Sequence, residues 1–350
     1  MMLSKLIQTT RFLLRGEYTY RDIIVSIARK AWTKLQIKYN FYVKKYRYLD
    51  NLKNRNVAIV VLIGKYPSLW SIALRRVYEY ADEVDVMVVN AGAFHSDEAV
   101  KLSREYNFSY FECIPNNFVS AQNFVIKNIV SSPLIVKMDD DVFITRYTIR
   151  NLVATYRKLK EEGYDIGFVA PVLNVNNVSY YYFLKTLNLV EKYEQLFEKP
   201  IYIRNWDKQR VWYDPQVAVW LWDHSLPLNE VADVFNSANQ GKIEVIPVRF
   251  SIQCILFERS FVLESGGYLS PLPKPSHLIG ETYALHRKRV LHIHLPFGDE
   301  RSINFYANDL MYGRFLALDS FAGHLAYFPQ SEVMLKWFEK NRKRLIEDLS

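Results

Sequence analysis

Ala58-Ile59-Val60-Val61-Leu62-Ile63 is an unbroken apolar run, rich in β-branched residues and ended by Gly64. A segment with no polar face belongs in the middle of a parallel sheet that is covered on both sides. Beyond Gly64 the chain alternates in kind. The pattern predicts a helix over Ser68 to Tyr80, a strand over Asp85 to Asn90, a helix over Ala99 to Tyr106 and a short strand over Tyr110 to Cys113. A helix over Ser120 to Val130, a strand opening at Leu134-Ile135-Val136, a helix over Tyr147 to Glu162 and a strand over Ile166 to Pro171 continue it. Such alternation implies a doubly wound α/β sheet, whose ligands bind beyond the carboxyl ends of the strands. Gly64-Lys65-Tyr66, Asn90 and the run Asp139-Asp140-Asp141 all fall at those ends.

The aspartate run is the strongest chemical signal. Three carboxylates at the end of an apolar strand repel one another, and a hard divalent cation, Mn2+ or Mg2+, removes that cost while also bridging phosphate oxygens. Positions i and i+2 of a strand share a side, so Asp139 and Asp141 are the expected pair of metal ligands. The plain alternative is a solvated acidic turn that caps the next helix.

The surroundings of this run resemble glycosyltransferase family 2, the inverting enzymes of the GT-A fold. Ser120-Ala121-Gln122-Asn123 opens a helix ahead of the strand, Leu263-Glu264-Ser265-Gly266-Gly267-Tyr268 supplies a Gly-Gly-aromatic turn, and Gly280-Glu281 through Arg287 stands where the family carries an acidic pair followed by Arg. The match in order and spacing covers roughly residues 57 to 300. It implies a nucleoside-diphosphate sugar as donor, held by Leu62, Gly64, Asn90, Gln122, Asn123, Lys137, Asp139 and Asp140. It also implies Glu281 as the base that takes the acceptor proton, and a late histidine, His294, as a third metal ligand. Gly266, Gly267 and Arg287 are the implied acceptor contacts. Three positions depart from the family pattern. Gln122 stands for the usual Arg, Gly280 for the first acid, and Asn90 for the base-reading Asp. A helical alternative exists for Glu281 as a first-turn acid, and His294 shares its predicted strand face with His292.

Charge is unevenly spread. Residues 1–56 carry 13 Lys+Arg against 3 Asp+Glu, a net of +10, while the whole chain is +8, which leaves −2 for residues 57–350. Within 19–48, Ile24, Ile27, Ala28, Ala31 and Leu35 recur at helical spacing beside Arg29, Lys30, Lys34 and Lys38, with Trp32, Tyr39, Tyr42, Tyr46 and Tyr48 added. This reads as a basic amphipathic helical arm, suited to an anionic membrane surface or to packing on the domain. Nucleic-acid binding is not expected, because the basicity is confined to the arm. Cys113 and Cys254 form no metal-like spacing, so no disulfide framework is expected, and no signal peptide is read. A cytoplasmic protein, peripheral on the inner membrane face, is the corresponding expectation.

The remaining organisation is coarser. Residues 57–173 form a nucleotide-sugar half and 174–300 an acceptor half, where Trp206 and Trp212 lie in a polar stretch suited to stacking on sugars. Residues 301–350 read as a helical extension, with Met334, Trp337, Phe338 and Leu345 on one side of a helix over Ser331 to Leu349 that docks on the domain or on a second copy. The expected activity is metal-dependent inverting transfer of a sugar to a glycan, lipid-linked or protein acceptor. The alternatives are a degenerate fold kept for carbohydrate binding or assembly, and a sugar-nucleotide nucleotidyltransferase, for which Gly64-Lys65-Tyr66-Pro67 is a poor phosphate loop.

Overall fold

The structure is a computed structural model that describes residues 40–91, 96–114, 116–201, 209–269 and 298–349. Ten strands form one mixed sheet: β1 (Lys45–Leu49), β2 (Val57–Ile63), β3 (Asp85–Asn90), β4 (Ser109–Ile114), β5 (Leu134–Asp139), β6 (Val142–Ile144), β7 (Ile166–Leu173), β8 (Ile243–Val245), β9 (Cys254–Glu258) and β10 (Gly313–His324). Their order is β1-β4-β3-β2-β5-β9-β7-β10-β6, with β8 paired to β10. The β4-β3-β2-β5 core is parallel, whereas β9 runs antiparallel between β5 and β7. The α/β class expected from strand–helix alternation is therefore observed.

Helices α1 (Pro67–Tyr80), α2 (Asp97–Glu105), α3 (Phe118–Asn128) and α4 (Thr148–Glu161) alternate with these strands, close to their expected bounds. β2 and β3 are buried almost throughout, as their apolar sequences require. Two buried clusters form the core, one on each side of the sheet. Ala58 and Val60 join one, while Ile59 and Val61 join the other, following the two-residue period of a strand.

Two expectations change. Lys45–Leu49 is an edge strand antiparallel to β4 and not part of a helix. The alternation Lys45, Arg47 against Tyr46, Tyr48 suits a strand, and Tyr46 stacks on Phe111 at 5.7 Å and lies 5.2 Å from Phe124. The segment 301–350 is not simply a helical extension either. Between α7 (Asp299–Asp309) and α8 (Ser331–Glu347) lies β10, buried along nearly its whole length and inserted between β7 and β6. Its apolar sequence cannot stay at a surface, and the gap beside β7 accommodates it. In α8, Met334, Trp337, Phe338 and Leu345 are buried as expected, and they dock on the domain itself.

Candidate active site

β5 delivers Asp139 to the edge of the sheet, and the chain turns through Asp140 and Asp141 before β6 starts. A cavity of about 440 Å³ opens at this point. Its walls are Leu62, Gly64 and Lys65 after β2, Ala91 after β3, Phe118 at the start of α3, Lys137 and the three aspartates, Ile252 and Gln253 before β9, and Asp299 and Glu300 at the start of α7. The site thus lies at the carboxyl ends of β2 and β5, as the topology predicts.

The three aspartates have different roles. Asp140 Oδ2 accepts from the backbone N–H groups of Gly64 (3.0 Å), Lys65 (3.0 Å) and Tyr66 (3.2 Å), and from Trp70 Nε1 (2.9 Å). One charged acceptor with four donors fixes the loop between β2 and α1. Asp140 therefore positions the loop, and it also lines the cavity where a donor contact is expected.

Asp139 Oδ1 lies 2.7 Å from Lys137 Nζ, which also donates to the Ile252 carbonyl at 3.0 Å and stands 3.5 Å from Asp299 Oδ2. Burial disfavours the Lys137 ammonium, but Asp139 and Asp299 outweigh it, and its pKa is raised. Lys137 is a buried cation joining β5 to α7. Burial pushes the Asp139 carboxyl up to about 6, with Lys137 opposing.

Asp141 faces a different set. Its Oδ2 is 3.9 Å from Lys65 Nζ and 3.8 Å from His324 Nε2, while Oδ1 is buried with no hydrogen-bond partner among the described residues. Burial raises this carboxyl to about 8, against the pull of Lys65. His324 is the last residue of β10 and pairs with Val142, so strand register brings it beside Asp141. Its Nδ1 lies 2.5 Å from the Val175 carbonyl. A carbonyl only accepts, so Nδ1 carries the hydrogen and Nε2 keeps its lone pair towards Asp141. Burial lowers the imidazole to about 3, so the ring is neutral. Asn174 Oδ1 accepts from the His324 N–H, and Trp222 Nε1 donates to its carbonyl.

A neutral imidazole nitrogen and a partnerless carboxylate oxygen suit a divalent cation, and the Val175 contact is the kind that orients a ligating histidine. The Asp139 side chain, 30% exposed, lines the same cavity. Among the described residues no three His, Cys, Asp or Glu side chains already stand in coordinating positions. Lys137 holds Asp139, so the fit rests on the chemistry of the donor set and on the orphaned Asp141 oxygen.

The other expected residues divide. Leu62 and Gly64 line the cavity. Gln122 Nε2 donates to Asp299 Oδ2 at 3.1 Å, one layer behind the wall. Asn90 is buried and donates to the Tyr110 hydroxyl, and Asn123 bonds Asn40 and both the N–H and the carbonyl of Tyr268. These hydrogen bonds fix both side chains within the frame of the site. Gly266 and Gly267 also serve the frame. The Gly266 carbonyl accepts from Asn40 and the Gly267 carbonyl from Tyr306. Trp212 is half-buried and packs near Tyr327 at 6.3 Å. Glu281, Arg287, His292, His294, Gly280 and Trp206 lie outside the described residues.

Asp299, Glu300, Gln253, Ala91, Phe118 and His324 are wall or site residues that sequence reasoning does not single out. A pairing of Leu269 with Gly298 sets Asp299 next to the Gly266-Gly267-Tyr268 turn in space. Two acids in the first turn of α7, directly after Gly298, are the signal in the sequence.

No family model matches the sequence, and no curated protein matches it either. Among solved structures, the chain is similar to the mannosyltransferase PcManGT from Pyrobaculum calidifontis in complex with GDP-Man and Mn2+. The identity is 13%, the TM-score 0.42, and the match covers 93% of this chain and 73% of that one. It is also similar to S. aureus TarS. A 1–349 structure of TarS matches at 9% identity and TM-score 0.37, covering 81% of this chain and 64% of that one, and a second TarS structure matches at 15% identity and TM-score 0.28, covering 34% and 21%. A likeness this distant assigns neither activity nor ligand.

Proposed function

We propose that the protein is a metal-dependent inverting glycosyltransferase that uses a nucleoside-diphosphate sugar and passes the sugar to a glycan, lipid-linked or protein acceptor. The observation that carries this reading is the meeting of Asp141 and His324. Two buried groups with lone pairs face one another at 3.8 Å, one of them with an orphaned oxygen, where Asp141 lines a cavity beyond the parallel strands. Such a pair is costly unless a proton or a cation stands between them.

Asp139, Asp141 and His324 would hold Mn2+ or Mg2+, which when bound neutralises charge developing on a departing diphosphate. The chain's own residues supply the rest. Asp140 holds the Gly64-Lys65-Tyr66 loop against the cavity, so that its backbone and the Lys65 ammonium line the donor side. Lys137 keeps Asp139 and Asp299 apart but neutralised. We assign Asp299 as the carboxylate that accepts the proton from the attacking hydroxyl, because it lines the cavity opposite the loop and is held in place by Gln122 and Lys137. Glu281 is the competing assignment.

The test is release of nucleoside diphosphate from a panel of UDP-, GDP- and dTDP-sugars, with and without Mn2+. Turnover is expected with one donor class only and to depend on metal. Asp299→Asn is expected to lower it about 10²–10⁴-fold without removing nucleotide binding. Full turnover in Asp299→Asn with loss in Glu281→Gln would transfer the role to Glu281. No nucleotide binding at all, measured by thermal shift, would overturn the transferase reading.

A further inference from the structure

The outer edge of the sheet has a composition that the catalytic reading does not use. β1 ends the strand order, and among the described residues its far edge carries no further strand. Tyr42 (48% exposed), Tyr46 (53%) and Ile114 (37%) are exposed large hydrophobics on or beside it. Phe118, 42% exposed, continues the strip and also lines the cavity. Basic residues are interleaved with these side chains. Lys44 and Lys45 are exposed, the Arg47 side chain is 42% exposed, and Lys127 Nζ lies 4.4 Å from the centre of the Phe41 ring.

The acidic groups along the strand are accounted for. Glu112 is buried under Arg47 at 3.7 Å, and Asp50 accepts from the Tyr48 hydroxyl at the far end of the strand. The 39 residues that precede Asn40 in the sequence add 8 Lys+Arg against 2 Asp+Glu.

We propose that this edge docks on an anionic lipid surface. Tyrosines and short apolar side chains suit the headgroup boundary, and lysines gain from the negative surface potential of such a leaflet. Edge-to-edge pairing with a second copy is the competing occupant. It would set Lys44, Lys45 and Arg47 of one strand against the same residues of the other, and like charges placed opposite in a sheet repel. Docking through this strip turns the Phe118 side of the cavity towards the bilayer. On the transferase reading, an acceptor carried in the lipid then reaches the site. The docking itself does not depend on that reading. Among the described residues, no helix is long and apolar enough to cross a membrane.

The experiment is flotation of the full chain with phosphatidylcholine vesicles, with and without a third of phosphatidylglycerol, at low and high salt. Wild type is expected to float only with the anionic vesicles and to be released by salt. Lys44→Glu/Lys45→Glu is expected to weaken partitioning about 30-fold or more, which corresponds to about 1 kcal/mol for each basic residue near the surface. Tyr42→Ser/Ile114→Ser is expected to weaken it at unchanged charge. Both variants should keep the wild-type melting temperature and the same thermal shift with nucleoside diphosphate, which separates docking from the donor site. Equal flotation with neutral vesicles, or wild-type flotation of both variants, would overturn the proposal. So would a dimer that breaks in the lysine variant without any lipid binding.

Discussion

Asp140 and Asp141 are neighbours in the sequence, yet the structure predicts opposite consequences for the same substitution. In Asp140→Asn, a buried oxygen that serves four donors at 2.9–3.2 Å loses its charge. A hydrogen bond to a charged group contributes about 1.5–3 kcal/mol, and bonds that share one acceptor are not additive, so the expected loss is roughly 3 kcal/mol. At about 2.1 cal/mol/K per residue over 350 residues, that corresponds to a melting temperature lower by roughly 4 °C. In Asp141→Asn, a carboxyl raised to about 8 by burial becomes a neutral amide, so the metal-free protein should melt no lower than wild type at pH 8 and above. Differential scanning fluorimetry with and without Mn2+ separates the two. Asp140→Asn should keep a metal-induced rise from a lower baseline, while Asp141→Asn should start at or above wild type and show no rise. If Asp140→Asn melts like wild type, or if Asp141→Asn retains the full metal response, the division of roles between the two carboxylates is wrong.

Metal affinity should rise with pH between about 6 and 8, because Asp139 and Asp141 must lose protons to ligate and their folded values are about 6 and about 8. The charged groups around them are Lys65, Lys137, Asp140 and Asp299, and the proton released on binding is measurable by calorimetry in buffers of different ionisation enthalpy. With both folded values raised above 3.8, the metal-free protein should lose stability as pH rises from about 4 to about 8, the Asp139 share ending near 6 and the Asp141 share near 8, and a flat urea midpoint from pH 5 to 8 would contradict this. His324→Ala should lower Mn2+ affinity by at least the ~10–100-fold that loss of a ligand's outer-shell partner costs, and unchanged affinity would remove His324 from the site. Gly267→Ala should destabilise by about 2–4 kcal/mol. Its φ is +78°, and a Cβ there would meet Phe41 Cζ at 2.7 Å and Asn123 Oδ1 at 3.1 Å. A urea midpoint within error of wild type would refute the close approach.

The α/β class, most helix and strand bounds up to β7, and the place of the aspartates are legible in the sequence, because each depends on local periodicity. A six-residue apolar run has few uses outside a covered sheet, and carboxylates at a strand end mark themselves by their cost. Asn90, Asn123 and Asp140 lie in the neighbourhood that their chain positions imply, and each makes hydrogen bonds there that the motif does not announce. Neighbourhood comes from chain order, whereas the direction of a side chain depends on which donors the fold brings to it. Lys45–Leu49 is ambiguous for a related reason. Five residues satisfy a two-residue period and a basic helical pattern equally well until β4 offers a partner.

What the sequence determined by itself is therefore the parallel strands β2 to β5 and the carboxylate cluster at their carboxyl ends, since hydrophobic period and like-charge repulsion act within a few residues. What only the tertiary structure decided is the rest of the site. His324 meets Asp141 through the register of β10 on β6, and Asp299 meets Lys137 because α7 packs on β7, two strands from β5. Both contacts join residues more than a hundred positions apart. Contacts that distant depend on strand order and packing, which no local pattern of side chains encodes.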